Sequence, residues 1–183
     1  PNGWSICQDI VPGSNLKETN SRIQAALKGG ATAIRICLND SPSVGSDFIS
    51  SVLDGIPLEE TEIHFRGSLS ADAIYEKLNE FASGAGIDPS LLKGSIGADP
   101  LGKMAATGIP IASMENLVKL VEKVHESTPG IKVIDVNGTM IQDAGSTLVE
   151  ELAVALAMAN EYAVLLTNQG VDAKSMAESL LLN

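Results

Sequence analysis

Five short apolar runs, starting near residues 4, 32, 62, 94 and 132, alternate with longer stretches whose apolar residues recur at helical spacing. Parallel strands need a long crossover between them, and a helix is its usual filling. The alternation therefore restricts the chain to a parallel βα series. Two architectures satisfy it: an open doubly wound sheet, or a (β/α)8 barrel, which takes about 250 residues when complete. No Gly-x-Gly-x-x-Gly or Walker-type loop follows any run, which argues against a nucleotide-binding sheet. The expected fold is α/β of (β/α)8 TIM-barrel type, incomplete at about five to six units, as a single domain over residues 1–183.

The pattern places strands at residues 4–11, 32–38, 62–66, 94–98 and 132–136. A first helix begins at Asn15, with Glu18 placed as in a capping box, and faces inward through Leu16, Ile23, Ala26 and Leu27 before Gly29 and Gly30 stop it. Further helices are expected over 47–53, 70–83, 101–106 and 114–126. Val136 to Gly145 reads as a strand end and a polar turn, after which Thr147 and Glu150 form a second capping box. The long helix that follows is assigned an inner face of Leu148, Leu152, Leu156 and Ala159. Residues 173–181 form a last helix, whose end could enter a sixth strand. No outer helix stands out as apolar on its outward side.

Charge and composition exclude several functions. The net charge of −11, without any Lys/Arg cluster, argues against nucleic-acid binding through phosphates. Aromatic residues make up only 3 %, so Ala, Ile, Leu and Val must build the core. Cys7 and Cys37 lie in strand-like runs and are expected as buried, reduced thiols of a cytoplasmic protein, with a disulfide between neighbouring strands as the alternative. Apolar runs are too short to span a bilayer, no signal peptide is evident, and the start at Pro1 without Met suggests a fragment.

Loops after strands are where such folds place their chemistry. Gln8, Asp9, Asn39, Asp40, Arg66, Asp99, Gln142 and Asp143 all fall at or just past expected strand ends. Arg66 is the strand cation suited to a carboxylate or phosphate, or to pairing with a nearby acid. Asp99, before Pro100, reads as a helix start, and Asp143 as a turn residue. Asp9 and Asp143 would suit a hydrolase, yet nothing in the sequence brings them together. His64 alternates with Ile63 and Phe65 and so turns to a polar side, while His125 sits near a helix C-terminus, where its charge suits the dipole. Neither has partners at metal-ligand spacing, so no metal site is expected.

Several segments together resemble the methylmalonyl-CoA mutase family: residues 4–8 (Trp-Ser-Ile-Cys-Gln), 86–96, 142–145 leading into 150–157, Asn160-Glu-Tyr162 and Gly170-Val-Asp172, in the family's order. Residues 96–102 and 160–162 look closest to the small, or β, subunit of bacterial two-subunit mutases. The resemblance implies a barrel that threads coenzyme A in the active subunit, and a separate flavodoxin-like domain carrying cobalamin. That domain lies outside this chain, so no cofactor is expected on it; adenosylcobalamin belongs to the family assembly.

Gln8 matches the family's glutamine, but Cys7 and Asp9 stand where the active subunit has an arginine and a catalytic tyrosine. Thr107 aligns with the arginine that grips the substrate carboxylate, Thr139 and Met140 with a tyrosine–histidine pair, and Gly97 with a strand glutamine. No catalytic residues are therefore expected; Gln8, Arg66 and Gln142 remain as substrate-binding candidates. The resemblance implies a non-catalytic small subunit that supports a catalytic large subunit in a heterodimer interconverting methylmalonyl-CoA and succinyl-CoA, within propionate metabolism. The alternatives are an active isomerase of a related CoA ester and a degenerate CoA-type binding module.

Overall fold

The computed structural model describes residues 3–38, 45, 47–67, 70–111 and 114–183. It divides into two units, Pro1–Gly97 and Ala98–Asn183. Six parallel strands with interleaved helices, in a sheet that is not closed, make this an incomplete (β/α)8-barrel type of chain.

In the first unit β1 (Cys7–Ile10), α1 (Leu16–Lys28), β2 (Ala33–Cys37), α2 (Phe48–Val52), β3 (Glu62–Arg66), α3 (Ala71–Gly84) and β4 (Gly94–Ala98) follow one another, with a 3-10 turn at Pro89–Leu91. β1 is shorter than the apolar run suggests. Asn15 caps α1 by accepting from the amides of Lys17 and Glu18 at 3.2 and 3.4 Å. From the same helix Asn20 reaches across to the carbonyls of Val52 and Asp54, at 2.8 and 2.9 Å, and clasps the end of α2.

Alternation along the strands separates two faces. Ile34, Ile36, Ile63, Phe65 and Ile96 are buried, as are Ile23 of α1, Ile49 of α2 and Ile74 and Leu78 of α3. The other face carries a polar row set by the strand register: Asp9 opposite Arg35, Arg35 opposite His64, and His64 opposite Ser95. Register also decides the cysteine question. Cys7 stands opposite Ala33, so Cys37 lies four residues further along β2, roughly 13 Å away along the strand, beyond disulfide reach. Both thiols are free; Cys37 is buried as expected, but Cys7 is exposed.

β4 approaches β3 very closely at two glycines. A Cβ on Gly94 would lie 1.8 Å from the carbonyl oxygen of Ile63, and one on Gly97 would lie 2.0 Å from that of Phe65. Both residues hold positive φ, at 136° and 67°. Only glycine tolerates both constraints.

The second unit contains α4 (Pro100–Thr107), α5 (Glu115–Ser127), β5 (Ile131–Val136), α6 (Thr139–Asp143), α7 (Leu148–Asn168), α8 (Ala173–Ser179) and β6 (Leu180–Leu182). β6 pairs in parallel with β5 through Ile134–Leu180 and Val136–Leu182, so the sixth strand forms. α5 buries Leu117, Leu120, Val121 and Val124, as its spacing predicts. His125 at its end stands 3.7 Å from Glu178 of α8. The capping box at Thr147 is complete: its hydroxyl accepts from the Glu150 amide, and Glu150 accepts from the Thr147 amide at 2.8 Å.

α7 departs from expectation. Its buried positions are Ala155, Tyr162 and Leu166, whereas Leu148, Leu152 and Leu156 are exposed. On that buried side the Tyr162 hydroxyl meets Asp99 and the Leu101 amide. The view that no outer helix is apolar on its outward side is corrected by the same helix.

Candidate functional site

On β1, Gln8 is exposed and its amide donates to the carbonyl of Asp9 at 3.1 Å. Asp9 is half-exposed and lies 3.5 Å from the Arg35 guanidinium. His64 places Nδ1 3.0 Å from the Ser95 hydroxyl and Nε2 3.6 Å from Glu62, which also accepts from Ser5 at 3.1 Å. The polar side expected for His64 is thus real, and its groups largely satisfy one another. Arg66 lies further along β3, opposite Cys37, and its buried Nε–H finds no acceptor among the described residues. Asn39 and Asp40 lie outside the described residues.

In the second unit the chain that follows β5 is tied at three points. The Asn137 amide donates to Asp99 Oδ2 at 3.4 Å. The Gly138 amide donates to the carbonyl of Asn183 at 2.8 Å, and the Asn183 amide returns a bond to Val136 at 3.0 Å. Beyond α6 the Thr147–Glu150 box fixes the exit. Within this frame Thr139, Met140 and Gln142 share the five residues of α6, with Gln142 and Asp143 exposed. The Thr139 amide donates to Asn137 Oδ1 at 3.2 Å, an Asx turn that starts the helix.

Thr107 ends α4. Its hydroxyl donates to the carbonyl of Lys103 at 2.7 Å and accepts from the Ile109 amide at 3.3 Å, so it finishes a helix. A hydroxyl used this way offers a carboxylate no cation.

Asp99 starts α4, as expected, by accepting from the Gly102 amide at 2.9 Å. Its second task was not legible. Oδ1 also accepts from the Tyr162 hydroxyl at 2.7 Å, and that hydroxyl in turn accepts from the Leu101 amide at 2.8 Å. Burial pushes the Asp99 carboxyl above its usual range against these donors, and burial beside Asp99 holds the Tyr162 phenol far above its own. Gly102 permits the approach, since a Cβ there would lie 2.1 Å from Asp99 Oδ2. The available signal was Tyr162 itself, one of only two tyrosines, whose hydroxyl needs a partner when buried. With every oxygen of the pair engaged, the cluster is suited to holding the start of α4, the chain after β5 and α7 together rather than to moving protons.

Among the described residues no group of His, Cys, Asp and Glu is arranged to hold a metal ion. Nor is any described helix long and apolar enough to cross a membrane.

Parallel βα units with polar strand ends in the first unit, and a braced loop after β5 in the second, define an α/β protein of barrel type. The sequence model described as methylmalonyl-CoA mutase matches residues 46–182. The chain belongs to the methylmalonyl-CoA mutase family. It is 26 % identical over 183 residues to a methylmalonyl-CoA mutase small subunit of Porphyromonas gingivalis, covering 100 % of this chain and 29 % of the relative. With the small subunit of Streptomyces virginiae it shares 29 % identity over 174 residues, 93 % of this chain and 27 % of that protein. A methylmalonyl-CoA mutase of Rhizobium meliloti is 26 % identical over 182 residues, 97 % of this chain and 24 % of the relative. The chain thus spans under a third of the length of these relatives.

Proposed function

We propose that this chain is the barrel portion of a non-catalytic small subunit of adenosylcobalamin-dependent methylmalonyl-CoA mutase, and that it supports a catalytic large subunit in a cytoplasmic heterodimer. The observation that carries this reading is the pair Thr139 and Met140 at the head of α6, where the family resemblance calls for tyrosine and histidine. Neither side chain is a cation or a general acid near neutral pH, so neither stabilises a charged acyl fragment. Thr107, spent on closing α4, adds no charge. The relatives named as small subunits support the same assignment.

The described residues offer no free strand imidazole to adenosylcobalamin. His64, the strand imidazole, has both ring nitrogens beside Ser95 and Glu62. In this reading the cofactor is carried elsewhere in the assembly, and Gln8, Arg66 and Gln142 are the residual polar contacts that a CoA-type ligand would meet. The test is a mutase assay with methylmalonyl-CoA and adenosylcobalamin, on this chain alone and with the large subunit. No turnover by the chain alone and turnover by the mixture are expected. Conversion to succinyl-CoA by the chain alone overturns the assignment.

A further inference from the structure

Asp9, Arg35, His64 and Ser95 form one row across β1 to β4, and these groups answer one another. Asp9 lies 3.5 Å from Arg35, while His64 stands 3.0 Å from Ser95 and 3.6 Å from Glu62. Arg66 is two residues beyond His64, on the same face and at the last position of β3. Its immediate neighbours bring it no charge. Cys37, its register partner, is a buried thiol that burial pushes up and so keeps neutral. Gly97 passes alongside without a side chain, and a Cβ there would lie 3.3 Å from the Arg66 Cα. Arg66 is half-buried and its covered Nε–H meets no acceptor among the described residues. No described carboxylate pairs with it either.

A guanidinium is permanently charged, its fork fits two oxygens of one anion, and a buried N–H left open is costly. We propose that Arg66 is the seat for the carboxylate of a small-molecule ligand. Position favours a ligand over a structural partner, because the carboxyl ends of parallel strands are the binding face of such a fold. The acids of this sheet face, Asp9 and Glu62, already lie against Arg35 and His64. One cation balances the single charge of a carboxylate, whereas a phosphate dianion calls for further donors, which the side chains at positions 37 and 97 do not supply. The inference rests on Arg66 as a contact in the proposed function and deepens it by naming the group that contact takes.

The experiment is NMR of the arginine Nε–H signals at neutral pH during titration with succinate, neutral succinamide or inorganic phosphate. Wild type is compared with Arg66→Lys and Arg66→Met, whose spectra assign the Arg66 signal by its absence. A saturable shift of that signal with succinate and none with succinamide is expected, and these wild-type arms do not depend on either variant folding. Phosphate is expected to bind more weakly than succinate. Read at the backbone amides beside position 66, succinate binding weakens about tenfold in Arg66→Lys, which keeps the charge but loses the fork, and vanishes in Arg66→Met. An unmoved signal, equal shifts with succinate and succinamide, tighter binding of phosphate, or undiminished binding by Arg66→Met overturns the seat. So does a signal already paired with one of the chain's own acids before ligand is added, or a response lost on adding the large subunit, since a protein group then occupies the seat. The mutase assay decides the small-subunit reading separately, so the two fail independently.

Discussion

Tyr162 satisfies the Leu101 amide and donates to Asp99 through one hydroxyl, so its loss leaves that amide unmet and takes one donor from the carboxylate. Tyr162→Phe is expected to cost about 1–3 kcal/mol in denaturant unfolding, the usual penalty for orphaning buried polar groups. Asp99 would respond as well. The phenol is one of the donors drawing its raised carboxyl back down, so carboxyl titration by NMR should show a further rise in the variant. The sign for stability follows. A carboxyl raised by burial favours the folded state most below its unfolded value, and that contribution is lost as pH rises through the folded one. Gly97 makes a different point. The family resemblance puts glutamine there, yet φ of 67° and the Phe65 carbonyl exclude any side chain. Gly97→Gln should therefore lower stability by at least about 2 kcal/mol rather than restore a polar contact, as chemical denaturation would show.

Among the elements, α7 shows what periodicity conveys and what it omits. Its start was legible, because Thr147 and Glu150 at the right separation specify a reciprocal cap. Its orientation was not. Apolar residues cover two sides, so spacing alone fixed no phase, and the larger leucines were assigned inward when Ala155, Tyr162 and Leu166 hold that place. α5, with one apolar side, was read correctly. The caps also carry a pH dependence. Hydrogen bonds from Thr147 lower the carboxyl of Glu150, and those from Ser175 lower that of Asp172 at the head of α8. Their stabilisation is present above the ordinary carboxylate range and is lost as pH falls through the lowered values. Thermal unfolding should show a drop in Tm on acidification through that range, and Glu150→Gln should make the drop shallower.

At the level of the molecule, five strands followed from the spacing of apolar runs, and the sixth, left as a possibility at the chain's end, forms at Leu180–Leu182. The candidate site rests on residue type and resemblance, while the bracing around Asp99 was not legible. Asp99, Asn137, Tyr162 and Asn183 meet through bonds between residues distant in sequence, which no local pattern encodes. The same reasoning limits repair. Under the proposed function, replacing Thr139 by Tyr and Met140 by His supplies two of the side chains the family resemblance calls for while Thr107 remains, and groups that act as a unit do not contribute singly. The double variant Thr139→Tyr/Met140→His is expected to show no succinyl-CoA formation in a mutase assay without a large subunit.

The segment after β5 is anchored at Asp99, at Asn183 and at the head of α7 by the chain's own hydrogen bonds. A stretch secured in advance has little disorder to surrender when something touches it, and so no order–disorder signal to send onward.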